Sequence, residues 1–198
     1  MARPQLHSQD AILDAARTLV LERGARSATI NAIAAASGAP KGSLYHRFAS
    51  LDELLAEMWI RAVRRSQAAF LEALGEPEAI RAGVRAALSI HDFAEREPGD
   101  ARLLAALRRE DLIESVDAPR LVDELAAINR PLERGIRDLA RRLYGSAKHD
   151  AVERTACAVI DLPIGATRRH LIAGAPLPLT LRPQLEAAVR AALGDPGD

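Results

Sequence analysis

The sequence predicts an all-α protein in two modules, residues 1–50 forming a small N-terminal unit and residues 51–198 a larger helical domain. Three observations carry that expectation. Apolar residues recur at helical spacing along nearly the whole 198-residue chain. No stretch shows the sustained apolar/polar alternation with β-branched enrichment that marks strands. Glycines, prolines and capping residues cut the chain into segments of helical length, and the length suffices for a module of about 50 residues beside a second one with its own core.

The first helix is expected after Ser8, a capping residue followed by Asp10 at the positive end of the helix dipole, with Ile12, Ala15, Ala16, Leu19 and Val20 on one face and Gly24 as its stop. A short second helix follows Thr29, turns Ile30, Ile33 and Ala34 inward, and ends at Ser37-Gly38-Ala39-Pro40. The third is confined to Pro40 or Lys41 through Phe48, because Ser50-Leu51-Asp52-Glu53 already opens a fourth with a capping box. That long fourth helix keeps Leu54, Leu55, Met58, Trp59, Ala62, Val63, Phe70, Leu71 and Leu74 in helical phase and leads from the first module into the second.

Gly75-Glu76-Pro77 then breaks the chain, a fifth helix ends near Glu97-Pro98-Gly99, and a sixth is expected from Arg102 to about Leu112. From Pro119 the apolar set Leu121, Leu125, Ile128, Leu132, Ile136, Leu139 and Leu143 marks an amphipathic helix that Pro131 should kink or divide. A further helix spans about 150–171 with Pro163 inside it, and a last one runs from about Pro183 past Leu193.

Composition narrows the function classes. Apolar residues make up 48% of the chain, and no run approaches the ~18 consecutive apolar residues of a membrane span. The N-terminus shows no secretory pattern, so a cytoplasmic location is expected. Cys157 is the single cysteine, which excludes an internal disulfide framework, and its apolar neighbours predict a small core residue. Basic and acidic residues balance at 27 each, but Arg3, Arg17, Arg23, Arg26, Lys41 and Arg47 outnumber Asp10, Asp14 and Glu22 in the first 50 residues. That asymmetry places any attraction to a polyanion at the N-terminus.

Residues 29–48 are two short helices joined by a glycine turn, the pattern of a helix-turn-helix. Ala34 is small where the helices must approach, Gly38 takes the turn, and Leu44 plugs the pair from the third helix. Outward from that plug the third helix offers Lys41, Ser43, Tyr45, His46 and Arg47, a set of cations and hydroxyls suited to phosphate oxygens and base edges.

Gly24, Thr29, Ile33-Ala34, Ser37-Gly38, Lys41-Gly42-Ser43-Leu44-Tyr45-His46, Phe48 and Leu54 together resemble, in order and spacing, the N-terminal signature of the TetR (tetracycline-repressor-like) family. The resemblance covers about residues 8–57 and implies a dimeric regulator that binds double-stranded operator DNA. It implies phosphate contacts from Thr29, Lys41, Tyr45 and His46, with Gly42, Ser43 and Arg47 near base edges. Two departures weaken the expected contact set: Leu51 stands where the family usually carries a phosphate-binding lysine, and Ala39-Pro40 replaces the more usual Val-Ser. The proline removes one backbone N–H that could have met a phosphate.

The same resemblance implies a small-molecule effector of unknown identity bound in the second module and a homodimer built by the last two long helices, for which Ala156, Val159, Ile160, Leu185, Ala188 and Val189 offer small and branched apolar surface. Trp59, Phe70, His91, Phe93 and Arg108 are the candidate effector-binding residues, since aromatic side chains are scarce at 3% of the chain and buried polar groups need partners. The same reasoning extends to Asp92. Arg61, Arg64 and Arg65 are read as a solvated face of the fourth helix. No catalytic motif, metal-ligand spacing or cofactor fingerprint is present, so neither an enzyme nor a metal or cofactor is expected. The competing readings are a ligand-independent regulator or an activator, favoured by a second module without a pocket, and a small-molecule carrier or enzyme with a vestigial DNA module.

Overall fold

The computed structural model describes residues 8–194, apart from the side chain of Arg26. The sequence reading of the first residues as lacking a secretory segment, and the contribution of Arg3 to the basic N-terminus, lie outside the described residues. Every regular element among the described residues is helical, as expected.

Helix α1 (Gln9–Arg23) starts where the Ser8 hydroxyl accepts from the Ala11 N–H and stops at Gly24, whose φ is +80°. After a single tight turn at Ala25–Ser27, α2 (Ile30–Ser37) is capped by Thr29, and Gly38 in the left-handed conformation (φ 68°, ψ 5°) swings the chain into α3 (Lys41–Arg47). Ser50 caps α4 (Leu51–Ala73) by accepting from the Glu53 N–H, while the Glu53 carboxylate accepts in return from the Ala49 N–H. Ile12, Ala16, Ile33, Leu44, Phe48 and Leu54 are buried together. The N-terminal half of α4 therefore shares one core with α1, α2 and α3.

Helix α5 (Ala79–Arg96) is capped by the Glu78 carboxylate. The sixth helix departs from expectation: instead of a segment from Arg102 to Leu112, α6 runs Pro98–Ala106 and α7 runs Arg109–Ser115. Pro98 occupies the first turn, where its missing N–H costs nothing, so α6 begins early. Leu107 and Arg108 then turn extended and separate the two. Pro131 divides its segment into α8 (Pro119–Ala127) and α9 (Arg130–Tyr144), sitting in the first turn of the latter.

Pro163 acts differently. Between α10 (His149–Ala156) and α11 (Leu162–Ala173), residues Cys157–Asp161 form a π-helical turn, so the helix widens just ahead of the proline and continues. Helix α12 (Leu181–Leu193) closes the fold. Phe70, Ala87, Ile136, Val159, Leu185 and Val189 belong to the second core, formed by the C-terminal part of α4 with α5, α9, the α10–α11 segment and α12.

Two sequence readings are corrected by this packing. Cys157 is exposed, because the buried face of its helix runs through Thr155, Ala158 and Val159 and Cys157 points the other way. Val159, Leu185 and Val189, expected on a dimer surface, are buried inside the chain's own core, and Ala156 and Ile160 pack against that core. Of that set, Ala188 alone is exposed. The outward face of the last helices instead carries Cys157, Ile164, Ile172, Ala187, Ala188 and Ala191.

Candidate DNA-binding surface and effector cavity

Helix α3 presents its polar side chains because Leu44 anchors it to the core. Leu44 has no exposed surface, and Phe48, just past the helix end, is equally buried. On the opposite side Lys41, Gly42, Tyr45 and His46 are exposed, with Ser43 and Arg47 half-buried at the margins. Tyr45 exposes 54% of its surface, far more than a ring with an apolar packing role would leave in water. The Lys41 ammonium lies 5.8 Å from its ring centroid, which sets a cation beside a phenol hydroxyl on one helical face. No atom would come within 4 Å of a Cβ added at Gly42, so the helix surface there is open to close approach.

Thr29 stands at the other edge. Its side-chain oxygen accepts from the Ala32 N–H, leaving the hydroxyl hydrogen to donate outward at the N-terminus of α2, where the helix dipole favours an anion. The structure thus brings Thr29, Lys41, Gly42, Ser43, Tyr45, His46 and Arg47 onto the two helices of one helix-turn-helix. Leu51, which replaces the expected lysine, is half-buried and packs on the core of this module.

The second feature is a cavity of about 330 Å³ between α4, α5, α6, α9 and the α10–α11 segment. Trp59 and Phe70 from α4 and Phe93 from α5 line it, as their sequence positions suggested. His91 and Arg108 do not. Helical phase turns Ile90, Phe93 and Ala94 of α5 toward the cavity and His91 away from it, while Arg108 sits at the start of α7, outside the lining.

His91 is instead buried at 2% exposure, its Nδ1 3.4 Å from the Asp92 carboxylate and 3.7 Å from Glu95, with Nε2 lacking a hydrogen-bond partner among the described residues. Although potential metal-ligand atoms of His91, Asp92 and Glu95 lie within 4.8 Å of one another, Asp92 is already engaged by Arg182 of α12 at 3.0 Å. Burial alone would raise the Asp92 carboxyl, yet the hydrogen bonds and charge of Arg182, with His91 adding to them, hold it below its ordinary value. Ion pairing accounts for this cluster, and Asp92 serves α5–α12 packing rather than the cavity.

Sequence reasoning missed the cavity's polar groups. Gln67 of α4 donates to the Asn129 side-chain oxygen at 2.9 Å, Thr167 of α11 donates to the Pro163 carbonyl at 2.8 Å, and Arg168 of α11 reaches across to the Ala105 carbonyl of α6 at 2.9 Å. Gln67 could have been found, since it lies in phase with Val63 and Phe70; Asn129 and Arg168 are supplied by elements whose approach depends on tertiary packing.

Arg64 and Arg65 are exposed, as a solvated face requires, whereas Arg61 is half-buried, and all three are ion-paired within the chain. Arg61 binds Asp10 at 2.8 Å and Asp14 at 2.6 Å, Arg65 binds Asp100, and Arg64 binds Glu124. They are spent on joining α4 to α1, α6 and α8.

Residues 12–58 match the model of the bacterial regulatory proteins of the tetR family. The chain carries the N-terminal module of the TetR family. Its whole fold is similar to that of the TetR-family regulator PfmR from Thermus thermophilus, at 21% identity over 92% of this chain and 96% of that one, with a TM-score of 0.73. It is similar also to the fatty acid degradation regulator FadR from Bacillus halodurans (13% identity, 94% and 98% covered, TM-score 0.71) and to the ketosteroid transcriptional regulator KstR2 of Mycobacterium tuberculosis (17%, 94% and 93%, 0.68). A comparison with curated proteins finds no match. Among the described residues no helix is long and apolar enough to cross a membrane.

Proposed function

We propose that this protein is a cytoplasmic, homodimeric transcriptional repressor of the TetR family that leaves its operator when a small molecule occupies the cavity, and that its work is binding rather than catalysis. Residues 1–50 would grip DNA, and residues 51–198 would sense the effector and dimerise. The observation that carries this reading is the double membership of α4. Leu54, Leu55 and Met58 are buried in the core under α1–α3, whereas Trp59, Val63, Gln67 and Phe70 of the same helix line the cavity. A rearrangement of the cavity wall is therefore felt at the base of the helix-turn-helix.

Thr29, Lys41, Tyr45 and His46 would meet phosphates, with Gly42, Ser43 and Arg47 toward base edges in the major groove. One module of this size makes few contacts, so specific binding requires two, set in successive major grooves about 34–36 Å apart. A second copy would pair on α11 and α12 through the outward face that carries Ile172, Ala187, Ala188 and Ala191. An effector bound more tightly by the form with the wrong spacing would shift the population off DNA, by no more than its differential affinity. The presence of a cavity favours this reading over a ligand-independent regulator or an activator. That two similar structures carry names referring to fatty acid degradation and ketosteroids is in keeping with a largely apolar effector.

Footprinting of the purified protein on DNA from upstream of its own gene tests the proposal. The expected result is protection of two half-sites whose centres lie one helical turn, or a small multiple of it, apart. Absence of protection, or a single uninterrupted nonspecific footprint, would contradict it.

A further inference from the structure

Resting on the reading of the cavity as the effector site, we infer that its effector is a monoanionic amphiphile: a short apolar body carrying one terminal carboxylate, bound with the carboxylate at Arg168. The volume of about 330 Å³ lies at the lower end of the roughly 300–1,000 Å³ typical of small-molecule sites, which suits a short chain.

Among the described residues the lining carries no carboxylate, so nothing there would compensate the desolvation of an organic cation. The polar atoms of the wall are largely engaged with the protein itself. Ser66 donates to the Val63 carbonyl, Thr167 to the Pro163 carbonyl, and Gln67 to Asn129. What remains for a ligand inside is one carboxamide pair, too few donors for a nucleotide, a sugar phosphate or another multiply charged molecule.

Arg168 is the single cation of the lining among the described residues. It is exposed, as is Ile164 one helical turn before it, so these two residues of α11 mark where the cavity meets solvent, beside Ala105 of α6. The guanidinium is held there by donating Nη1 to the Ala105 carbonyl, which leaves its other N–H groups available to a ligand. A carboxylate at the mouth would gain a charge-assisted hydrogen bond while remaining partly hydrated, and the chain behind it would lie against Trp59, Phe93 and Leu104.

Trp59 is the only tryptophan in the sequence and lines the cavity, so intrinsic fluorescence reports occupancy of the full-length protein directly. The probes are decanoate, 1-decanol and decyltrimethylammonium, each kept below its aggregation threshold. Decanoate should bind about tenfold more tightly than decanol, the size of one charge-assisted hydrogen bond, and the cation should not bind. Arg168→Gln should bring decanoate to the level of decanol without changing decanol binding. Equal or tighter binding of decanol, binding of the cation, or an unchanged preference in Arg168→Gln would overturn the ligand class while leaving the cavity a binding site. Failure of all three probes would overturn the class as well. The sensing role of the cavity is read separately from Ala101→Phe, which fills it from α6: a fall in operator affinity upholds that role, and unchanged affinity in a folded variant removes it.

Discussion

Arg17 of α1 donates to one oxygen of Asp100, at the start of α6, while Arg65 of α4 takes the other at 3.2 Å. Asp100 is 1% exposed, and Arg17 lies against Gly99, where a Cβ would come within 2.8 Å of its guanidinium nitrogen. The residue after Asp100, Ala101, lines the cavity, as do Leu104 and Ala105 further along α6. At the far end of that helix, the Trp59 indole donates to the Leu107 carbonyl at 3.3 Å. Helix α6 is thus tied to α1 at its beginning and to α4 at its end, with the cavity between.

Removing Arg17 leaves a buried carboxylate with only Arg65 on it. Because Arg17 and Arg65 keep 19% and 38% of their side-chain surface in water, the cost falls below that of a fully buried pair, at about 2 kcal/mol for Arg17→Ala. Denaturant unfolding checks this value. The same change made in an Asp100→Ala background should cost less than half as much, because the stranded charge is then gone.

Acid should weaken the fold through Asp10 and Asp92. The hydrogen bond from Arg61 is the largest influence on Asp10 and lowers its pKa, with partial burial opposing it. In Asp92 burial is the largest influence and raises the pKa, but Arg182 outweighs it. Both folded pKa values lie below the unfolded value of 3.8, so the stabilisation is present above that pH and disappears as pH falls through the folded values. Melting temperatures recorded from about pH 5 to about pH 2 should fall less steeply below about pH 4 in Arg182→Ala than in the parent protein.

The outward face of α11 and α12 should govern association. Ile172 is 60% exposed, and Ala188 shares the outward side of α12 with Ala187 and Ala191. Ile172→Asp or Ala188→Arg is expected to move the protein to monomer in sedimentation velocity, with unchanged helical content by circular dichroism and at least a roughly tenfold loss of operator affinity, since two recognition helices must bind together.

How far the sequence reached follows from the kind of signal involved. Ser8, Thr29 and Ser50 announce helix starts through local hydrogen bonds, and Gly38 announces the turn through its left-handed backbone, so the helix-turn-helix was legible almost residue by residue. Trp59, Phe70 and Phe93 were found because large rings on apolar faces have few places to go. His91 was misplaced because neighbouring residues of one helix face different surroundings, and composition does not reveal which side meets a cavity. The dimer residues failed for a related reason: α11 and α12 are apolar on two faces, and periodicity does not say that Val159, Leu185 and Val189 turn inward. The π-turn before Pro163 carried no sequence signal beyond the proline itself, which is equally compatible with the break seen at Pro131.

DNA recognition by α3 is tested most directly by fluorescence anisotropy on upstream DNA, in excess nonspecific competitor, across a salt series. Lys41→Ala and Tyr45→Ala leave the buried Leu44 anchor intact, so the module stays folded. The expected result is competitor-resistant binding by the parent protein. Lys41→Ala should then bind more weakly and lower the log–log salt slope by about one per site, and Tyr45→Ala should weaken binding with a smaller effect on the slope. Binding that competitor abolishes, or affinities and slopes unchanged in both variants, would contradict recognition through this helix.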